Sequence, residues 1–151
     1  MDKFHFKALA FNALSIDELY SLLQLRSEVF VVEQKCVYQD VDGFDQEAIH
    51  VCGYSGNELV AYSRVLAPEA KYPGCSIGRV ITRHKARGTG LGNALLQESI
   101  AYCHKQWPQA EISLSAQEYL EEFYKRHGFE TESAAYMEDG IPHIKMTKKA
   151  G

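Results

Sequence analysis

The sequence predicts an α/β fold in which helices cover both faces of a mixed β-sheet. Two observations support this prediction. Apolar residues alternate with polar ones in some segments and recur at helical spacing in others, so strands and helices interleave along the chain. Only some of the helices lie between successive strands, which favours a mixed sheet over a wholly parallel one. The length of 151 residues suits one domain, and we expect residues 1–151 to form it.

The strands follow from alternation and from β-branched residues. In chain order they are residues 4–11, 48–54, 59–66, 77–82 and 110–116, a short strand that ends near residue 137, and residues 143–147. Residues 55–58 have the composition of a hairpin turn, so the second and third strands should pair antiparallel.

Three helices are predicted from capping signals and apolar spacing. The first follows Ser15, which forms a capping box with Glu18. Its buried side comprises Leu19, Leu22, Leu23, Val29 and Phe30. The second helix opens after a glycine loop and stops before Pro108, and the third covers residues 118–127, with Gly128 as its C′ residue.

The glycine loop lies between a predicted strand and the second helix. Glycines alternate at Gly88, Gly90 and Gly92. A loop of this kind leaves backbone N–H groups free at the positive end of a helix dipole, so the expected ligand is a phosphate or pyrophosphate. A Walker A loop is excluded because Asn93 and Ala94 replace its Lys and Ser/Thr, and the dinucleotide spacing G-x-G-x-x-G is absent. A turn that only packs the helix on the strand is the remaining alternative.

Composition narrows the class of partner. The formal net charge of −4 argues against nucleic acid, because nucleic-acid-binding proteins usually present a basic face. A local basic cluster around the glycine loop fits a small polyanion and comprises Arg79, Arg83, His84, Lys85 and Arg87. The four cysteines lack C-x-x-C spacing, residues 1–7 lack the apolar core of a signal peptide, and no apolar run approaches a membrane span. We therefore expect a cytoplasmic protein with reduced thiols and no metal site.

Residues 40–47 form an acidic segment for which two interpretations stay open. The carboxylates form either a solvated surface turn or an acidic wall that attracts a cationic amine. A calcium loop does not fit, because Gly43 comes too early and Val51 stands where an EF-hand needs its last glutamate. In the first helix, Arg26 lies near the apolar side, so it either has a buried partner or extends its head group to water.

Several motifs resemble those of the GNAT acyltransferase superfamily. The sequence Arg87-x-x-Gly90-x-Gly92 after a strand resembles its acetyl-CoA pyrophosphate loop, and Tyr124-x-x-x-Gly128-Phe129 resembles its second landmark. Other segments are similar to the ElaA-like branch, so the resemblance covers about residues 12–147. These segments are Leu25-Arg26-x-x-Val29-Phe30-Val31-Val32-Glu33-Gln34, Asp40-x-Asp42-Gly43-x-Asp45, Ser115-Ala116-Gln117 and Glu138-Asp139-Gly140-Ile141-Pro142-His143. The resemblance implies the GNAT fold, a mainly antiparallel sheet splayed between the fourth and fifth strands.

The resemblance also implies acetyl-CoA as the acyl donor and a primary amine as the acceptor, without a metal or a covalent enzyme intermediate. The pyrophosphate would bind to the backbone of Arg87, Gly88, Thr89, Gly90, Leu91, Gly92 and Asn93, with added charge from the Arg87 side chain. The backbone of Val80, Ile81 and Thr82 would pair with the pantetheine arm, and an N–H near Val80 would polarise the thioester carbonyl.

Proton transfer needs an acid and a base. Tyr124 is the candidate acid for the departing thiolate, because a phenol stays protonated at neutral pH; it also fits the apolar side of its helix as a core residue. The base is Glu33, His50, His143 or a water molecule, and each of these three side chains equally fits a structural role.

Acetyl transfer to the amine of a small cationic molecule or of a protein is therefore the leading function. A non-catalytic acyl-CoA-binding or sensor module is the alternative, and the glycine spacing disfavours a nucleotide-binding domain. No membrane partner is expected, and a homodimer is compatible with the resemblance.

Overall fold

An eight-stranded sheet carries the fold. The computed structural model describes residues 4–151, so residues 1–3 of the segment considered for a signal peptide lie outside it. The strands are β1 (Phe4–Ala10), β2 (Ile49–Ser55), β3 (Glu58–Leu66), β4 (Cys75–Thr82), β5 (Ile112–Gln117), β6 (Glu130–Thr131), β7 (Tyr136–Glu138) and β8 (Ile141–Lys148). The helices are α1 (Ile16–Arg26), α2 (Leu91–Gln106) and α3 (Glu121–Lys125). No helix within residues 4–151 is long and apolar enough to cross a membrane.

The sheet is mixed and mainly antiparallel, as expected. Its strand order is β1-β2-β3-β4-β5-β8-β6, and β7 also pairs with β8. Among the strands of residues 4–151, only β4 and β5 run parallel, and their pairing stops after Cys75 with Ile112 and Ser76 with Ser113. Both strands continue beyond that point, so the sheet splays between them and the predicted splay is confirmed.

Helices cover both faces of the sheet. Neighbouring residues of a strand point to opposite faces, so one strand supplies buried side chains to a core on each face. Val51 belongs to the core under α2, where Leu95 and Leu96 are fully buried. The next residue, Cys52, belongs to the opposite core under α1, where Leu22 is fully buried. Helices α1 and α2 therefore lie on opposite faces of the sheet.

The capping predictions are confirmed. The Ser15 hydroxyl accepts from the Glu18 N–H at 3.0 Å, and the Ser15 N–H donates to the Glu18 carboxylate at 2.9 Å. Beyond α3, Gly128 adopts a φ of 93° and its N–H donates to Lys125 O, while the Phe129 N–H donates to Tyr124 O. These two bonds form a Schellman motif, which sets the position of Tyr124 on its short helix.

Replacing Ser15 with alanine is expected to destabilise the protein by about 1 kcal/mol, because the Glu18 N–H then loses its acceptor. Urea unfolding of the two proteins measures the difference. A loss below about 0.3 kcal/mol would show that solvent replaces this cap without cost.

Three elements differ from the sequence predictions. The first helix continues beyond α1 as a π-helical turn, Ser27–Glu33, because its three valines carry β-branched side chains that crowd a regular α-helix. The third helix is a 3₁₀ turn, Glu118–Leu120, followed by α3, so α-helix does not span residues 118–127. The tail contains three strands instead of two, because the two-residue strand β6 pairs with Met146 and Thr147 of β8. The two predicted strands, β7 and β8, are joined by a tight turn in which Asp139 and Gly140 have φ of 51° and 77°.

Candidate active site

A cavity of about 500 Å³ opens where β4 and β5 diverge. A bulge lies in β4 at this level. Between the pairs Arg64–Gly78 and Tyr62–Ile81, β4 has two residues where β3 has one, and the first of these, Arg79, has a φ of 51°. A bulge bends and twists its strand, which favours the divergence from β5.

The structure brings together six of the predicted site residues on the wall of this cavity. They are Val80, Ile81, Thr82, Arg87, Gly92 and Tyr124. The other five, Gly88, Thr89, Gly90, Leu91 and Asn93, lie in the glycine loop and the first turn of α2 and do not line the cavity. The Leu91 side chain is buried in the core, and the Asn93 amide oxygen contacts His127 Nε2 at 2.9 Å. Both side chains are thus engaged within the protein, and the backbone N–H groups of these residues are the groups left for a ligand.

The glycine loop presents unpaired backbone N–H groups. Gly88 and Gly90 have φ of 81° and 84°, a conformation that residues with a Cβ rarely adopt. Gly90 caps α2 without a side-chain acceptor, and the Ala94 N–H is the first of this helix to bond, to Gly90 O at 3.1 Å. Within residues 4–151, the N–H groups of residues 88–93 donate to no backbone carbonyl. These groups, together with the helix dipole, suit an anionic oxygen.

Arg87 departs from its expected role. Its N–H donates to His84 O at 3.2 Å, and its guanidinium bonds Thr82 O at 2.8 Å and Glu33 at 2.9 Å. The neighbouring cations are also paired, Arg83 with Glu28 and Lys85 with Glu58, both at 2.9 Å. The predicted basic cluster is therefore a set of ion pairs rather than a free cationic patch.

Tyr124, in α3, is buried in the core and lines the cavity. It is only 5% exposed, and the surface that it exposes belongs to the cavity wall. Its ring packs edge-on against Phe123 and Phe129, with centroids 5.1 and 6.0 Å away. Burial raises the pKa of the Tyr124 hydroxyl above its ordinary value, with a smaller contribution from Tyr119. The hydroxyl is thus a proton donor throughout the neutral pH range.

His143 and Glu138 lie on the opposite wall. His143 Nδ1 is 2.7 Å from Ile141 O, and a carbonyl only accepts, so Nδ1 carries the proton and Nε2 keeps its lone pair in neutral histidine. Nε2 faces the Glu138 carboxylate at 3.5 Å. The Ser115 hydroxyl lies 2.6 Å from the Tyr136 hydroxyl and 3.5 Å from Glu138. A proton accepted at Nε2 would be stabilised by the Glu138 charge.

Residues 16–150 match the family of acetyltransferase (GNAT) domains. The chain belongs to the GNAT acetyltransferase family. It is 43% identical to ElaA of Escherichia coli K12 over 140 residues, which are 91% of this chain and 92% of that protein. The crystal structure of E. coli ElaA matches with a TM-score of 0.91 and 40% identity, covering 97% of this chain and 99% of that one. The crystal structure of an acyl-CoA N-acyltransferase from Pseudomonas aeruginosa matches with a TM-score of 0.91 and 40% identity, covering 96% and 99%.

These similarities confirm the GNAT fold and the ElaA-like branch expected from the sequence, and they show that the chain is an acyltransferase. Within this GNAT protein, the splayed strands, Gly92 at the start of α2 and Tyr124 line one cavity.

One base candidate falls outside the cavity. His50 is fully buried in β2, where Nδ1 lies 2.6 Å from the Tyr62 hydroxyl and Nε2 lies 2.9 Å from Asp45 O. Burial lowers the pKa of His50, against smaller raising effects from Asp45. Both ring nitrogens are occupied, so His50 is a structural residue and its candidacy as a base is wrong. Glu33 lines the cavity but is paired with Arg87.

The acidic segment is neither a solvated turn nor an acidic wall in this GNAT chain. Arg26, which is fully buried, donates to Asp40 and Asp45, each at 2.7 Å. Arg64 donates to Asp42 at 2.7 and 2.8 Å and to Asp45 at 3.0 Å. The three aspartates are thus neutralised by arginines from other elements, and the expectation that they attract a cationic substrate is corrected.

Acid is expected to destabilise this cluster. Burial raises the pKa of the Asp42 and Asp45 carboxyls, but hydrogen bonds and charge from Arg64 and Arg26 outweigh it and hold both pKa values below the ordinary value of about 4. Their contribution to stability is therefore complete above about pH 4 and is lost as the pH falls through the lowered folded values. We expect the urea midpoint to fall between pH 5 and pH 2.

Asp45→Asn should flatten that pH dependence, whereas Glu122→Gln, which changes a side chain that is 79% exposed, should leave it unchanged. An unchanged slope in Asp45→Asn would show that these carboxylates do not control acid unfolding.

Sequence reasoning missed Tyr136, Ser115 and Glu138 as partners of His143. A signal was available, because Asp-Gly between two short apolar runs is typical of a two-residue hairpin. That hairpin would have placed Tyr136 opposite His143, as β7 and β8 do here.

Proposed function

We propose that this protein is an acetyl-CoA-dependent N-acetyltransferase that transfers an acetyl group directly to a primary amine of a small cationic molecule or of a protein. The observation that supports this proposal is that one cavity is lined by an unpaired strand edge, a protonated tyrosine, a histidine–carboxylate pair and Gly92, a residue of the segment 88–93 whose backbone N–H groups are free. The similar P. aeruginosa protein is described as an acyl-CoA N-acyltransferase, which supports an acyl-CoA donor and a nitrogen acceptor.

The glycine loop and the free edge of β4 suit acetyl-CoA as the acyl donor. The N–H groups of residues 88–93 and the α2 dipole suit a pyrophosphate. From Ile77 to Thr82, β4 has no partner in β5, so its edge suits the amides of an extended pantetheine arm. At the bulge, Val80 has no partner in β3 either, which leaves its N–H as the candidate donor to the thioester carbonyl.

Acetyl transfer then needs two proton movements. His143 Nε2 accepts the proton that the alkylammonium must lose before its nitrogen can attack, and Glu138 stabilises the imidazolium that forms. The amine forms the C–N bond and the C–S bond breaks. The Tyr124 hydroxyl donates its proton to the departing thiolate and recovers, through solvent, the second proton that the acylated nitrogen loses, while His143 releases its own proton to solvent.

A preference for cationic amines rests on Glu138, because Asp40, Asp42 and Asp45 are paired with arginines. The Glu138 side chain is 49% exposed, and within residues 4–151 its contacts are His143 Nε2 and the Ser115 hydroxyl, each at 3.5 Å, so no lysine or arginine neutralises it. An alkylammonium group that enters the cavity between Glu138 and Tyr124 would find an unneutralised carboxylate there.

The test is thiol release from acetyl-CoA with a panel of diamines, lysine-containing peptides, uncharged aromatic amines and alcohols. We expect release with the cationic amines and an N-acetylated product by mass spectrometry. Acetyl-CoA binding without release by any acceptor would contradict the proposal and favour a binding or sensor module.

Glu138→Gln is expected to raise the KM for the active amine at least about tenfold, through loss of one charge contact. Glu47→Gln is the matched control, because it removes an exposed carboxylate of the acidic segment 40–47 that does not line the cavity. Equal KM values for the two variants would overturn the cationic preference.

A further inference from the structure

The bulge of β4 is held in an unfavourable backbone conformation. Arg79 has a φ of 51° in the middle of a strand, on the wall of the cavity. A residue with a Cβ adopts this conformation at an energetic cost, and it persists only where the surroundings impose it. The extra residue also removes Val80 from the register with β3, next to the proposed thioester position.

The Arg79 side chain is held chiefly by Asp40, with a longer contact from its Nη2 to Asp42 Oδ2 at 3.4 Å. Its Nε donates to Asp40 Oδ1 at 2.7 Å and its Nη2 donates to Asp40 O at 2.9 Å. The guanidinium also lies 5.9 Å from the ring centroids of Phe30 and Tyr38. These contacts fix the orientation of the Arg79 guanidinium.

Asp40 is itself held from the opposite side. Arg26 Nε donates to Asp40 Oδ2 at 2.7 Å, Arg26 Nη2 donates to Asp40 O at 3.1 Å, and the Tyr38 hydroxyl donates to Asp40 Oδ1 at 2.9 Å. Arg26 is fully buried at the end of α1 and does not line the cavity. Helix α1 is thereby connected to the β4 bulge through two arginines that share one carboxylate.

We propose that Asp40 and Arg79 are positioning residues for acyl transfer: the Asp40–Arg79 pair imposes the β4 bulge and thereby aims the Val80 N–H into the cavity. The proposal rests on the proposed function, because the Val80 N–H matters only where a thioester carbonyl is to be polarised. It explains why a cluster of buried charges, which hydrophobic residues could replace with no loss of stability, lies beside this cavity.

The test compares Arg79→Ala, Arg79→Gly and Arg79→Lys in acetyl transfer. Glycine tolerates a φ of 51°, so Arg79→Gly removes the contacts with Asp40 and also relieves the backbone strain. Arg79→Ala removes the same contacts but keeps a Cβ, so the strain remains. We expect kcat to fall at least about tenfold in both, with less than about a twofold change in the KM for acetyl-CoA, because a misaimed oxyanion donor affects the transition state most. Arg79→Lys, which keeps one charged contact, should recover part of the kcat.

The matched control is Arg83→Ala, which removes an arginine just beyond β4 that is paired with Glu28 and does not line the cavity. Its kcat should equal that of the wild type. A wild-type kcat in Arg79→Gly would overturn the proposal, as would losses of kcat that follow the melting temperature across all the variants.

The Val80 amide signal in ¹⁵N NMR spectra separates this proposal from the proposed function. It should shift in Arg79→Gly and Asp40→Asn but not in Arg83→Ala, whether or not an acceptor is turned over. A wild-type protein that acetylates no amine would overturn the proposed function alone. An unmoved Val80 amide in Asp40→Asn, whose substitution is remote from Val80 in sequence, would overturn the role of the Asp40–Arg79 pair alone.

Discussion

Tyr124→Phe is expected to lower kcat by about 10²- to 10³-fold, because the thiolate then leaves without a proton donor. Phenylalanine keeps the ring contacts with Phe123 and Phe129, so the fold and the KM for acetyl-CoA should change little. Burial holds the pKa of the Tyr124 hydroxyl above its ordinary value, so no alkaline decline in the wild-type kcat between pH 7 and 9 should come from this residue. Steady-state kinetics across that pH range measures both effects.

Tyr102→Phe is the control for the Tyr124 variant, since Tyr102 is a partly buried tyrosine of α2 that packs against Trp107 outside the cavity. Its kcat should match the wild type. If Tyr124→Phe also retains kcat within about twofold, Tyr124 is a core residue and a water molecule or the solvent protonates the thiolate.

Arg26→Met is expected to destabilise the protein by about 3–5 kcal/mol, the largest loss that we predict from one substitution. Arg26 is fully buried and pairs with Asp40 and Asp45, so its loss leaves two buried carboxylates with fewer partners. Methionine preserves much of the volume, which separates the loss of charge from a packing defect. Urea unfolding at pH 7 gives the free energy.

Lys125→Met is the control for Arg26→Met. Lys125 forms an exposed pair with Glu121 at 3.6 Å, and its removal should cost less than about 0.5 kcal/mol. A loss below about 1 kcal/mol in Arg26→Met would show that water solvates the two carboxylates without the arginine.

Local signals predicted much of this molecule. The Ser15 capping box, the Gly128 C′ position and the strand alternation depend on residues close together in sequence, and each gave the element that the structure has. The glycine loop around Gly90 predicted the free N–H groups, whereas the divergence of β4 from β5 was expected only from the resemblance to the GNAT superfamily.

The charge network could not be predicted in this way. Asp40 meets Arg26 across 14 positions and Arg79 across 39, so no period or short motif links them. An acidic loop and separate arginines have the same local pattern whether they are solvated or paired. The placement of Arg79 in a left-handed conformation depends on this network, which explains why the bulge was also missed.

The central claim is that the glycine loop and the splayed strands bind acetyl-CoA, and a thermal-shift titration tests it most directly. Acetyl-CoA, CoA, ATP and NAD would be added to the wild type, to Gly90→Glu and to Gly56→Glu. Gly56 is a matched control, because its φ of 61° is also left-handed but it lies in the turn between β2 and β3. We expect acetyl-CoA and CoA alone to raise the melting temperature of the wild type and of Gly56→Glu with concentration, and to have no effect on folded Gly90→Glu. No shift of the wild type with either coenzyme, or an equal shift in Gly90→Glu, would contradict the account.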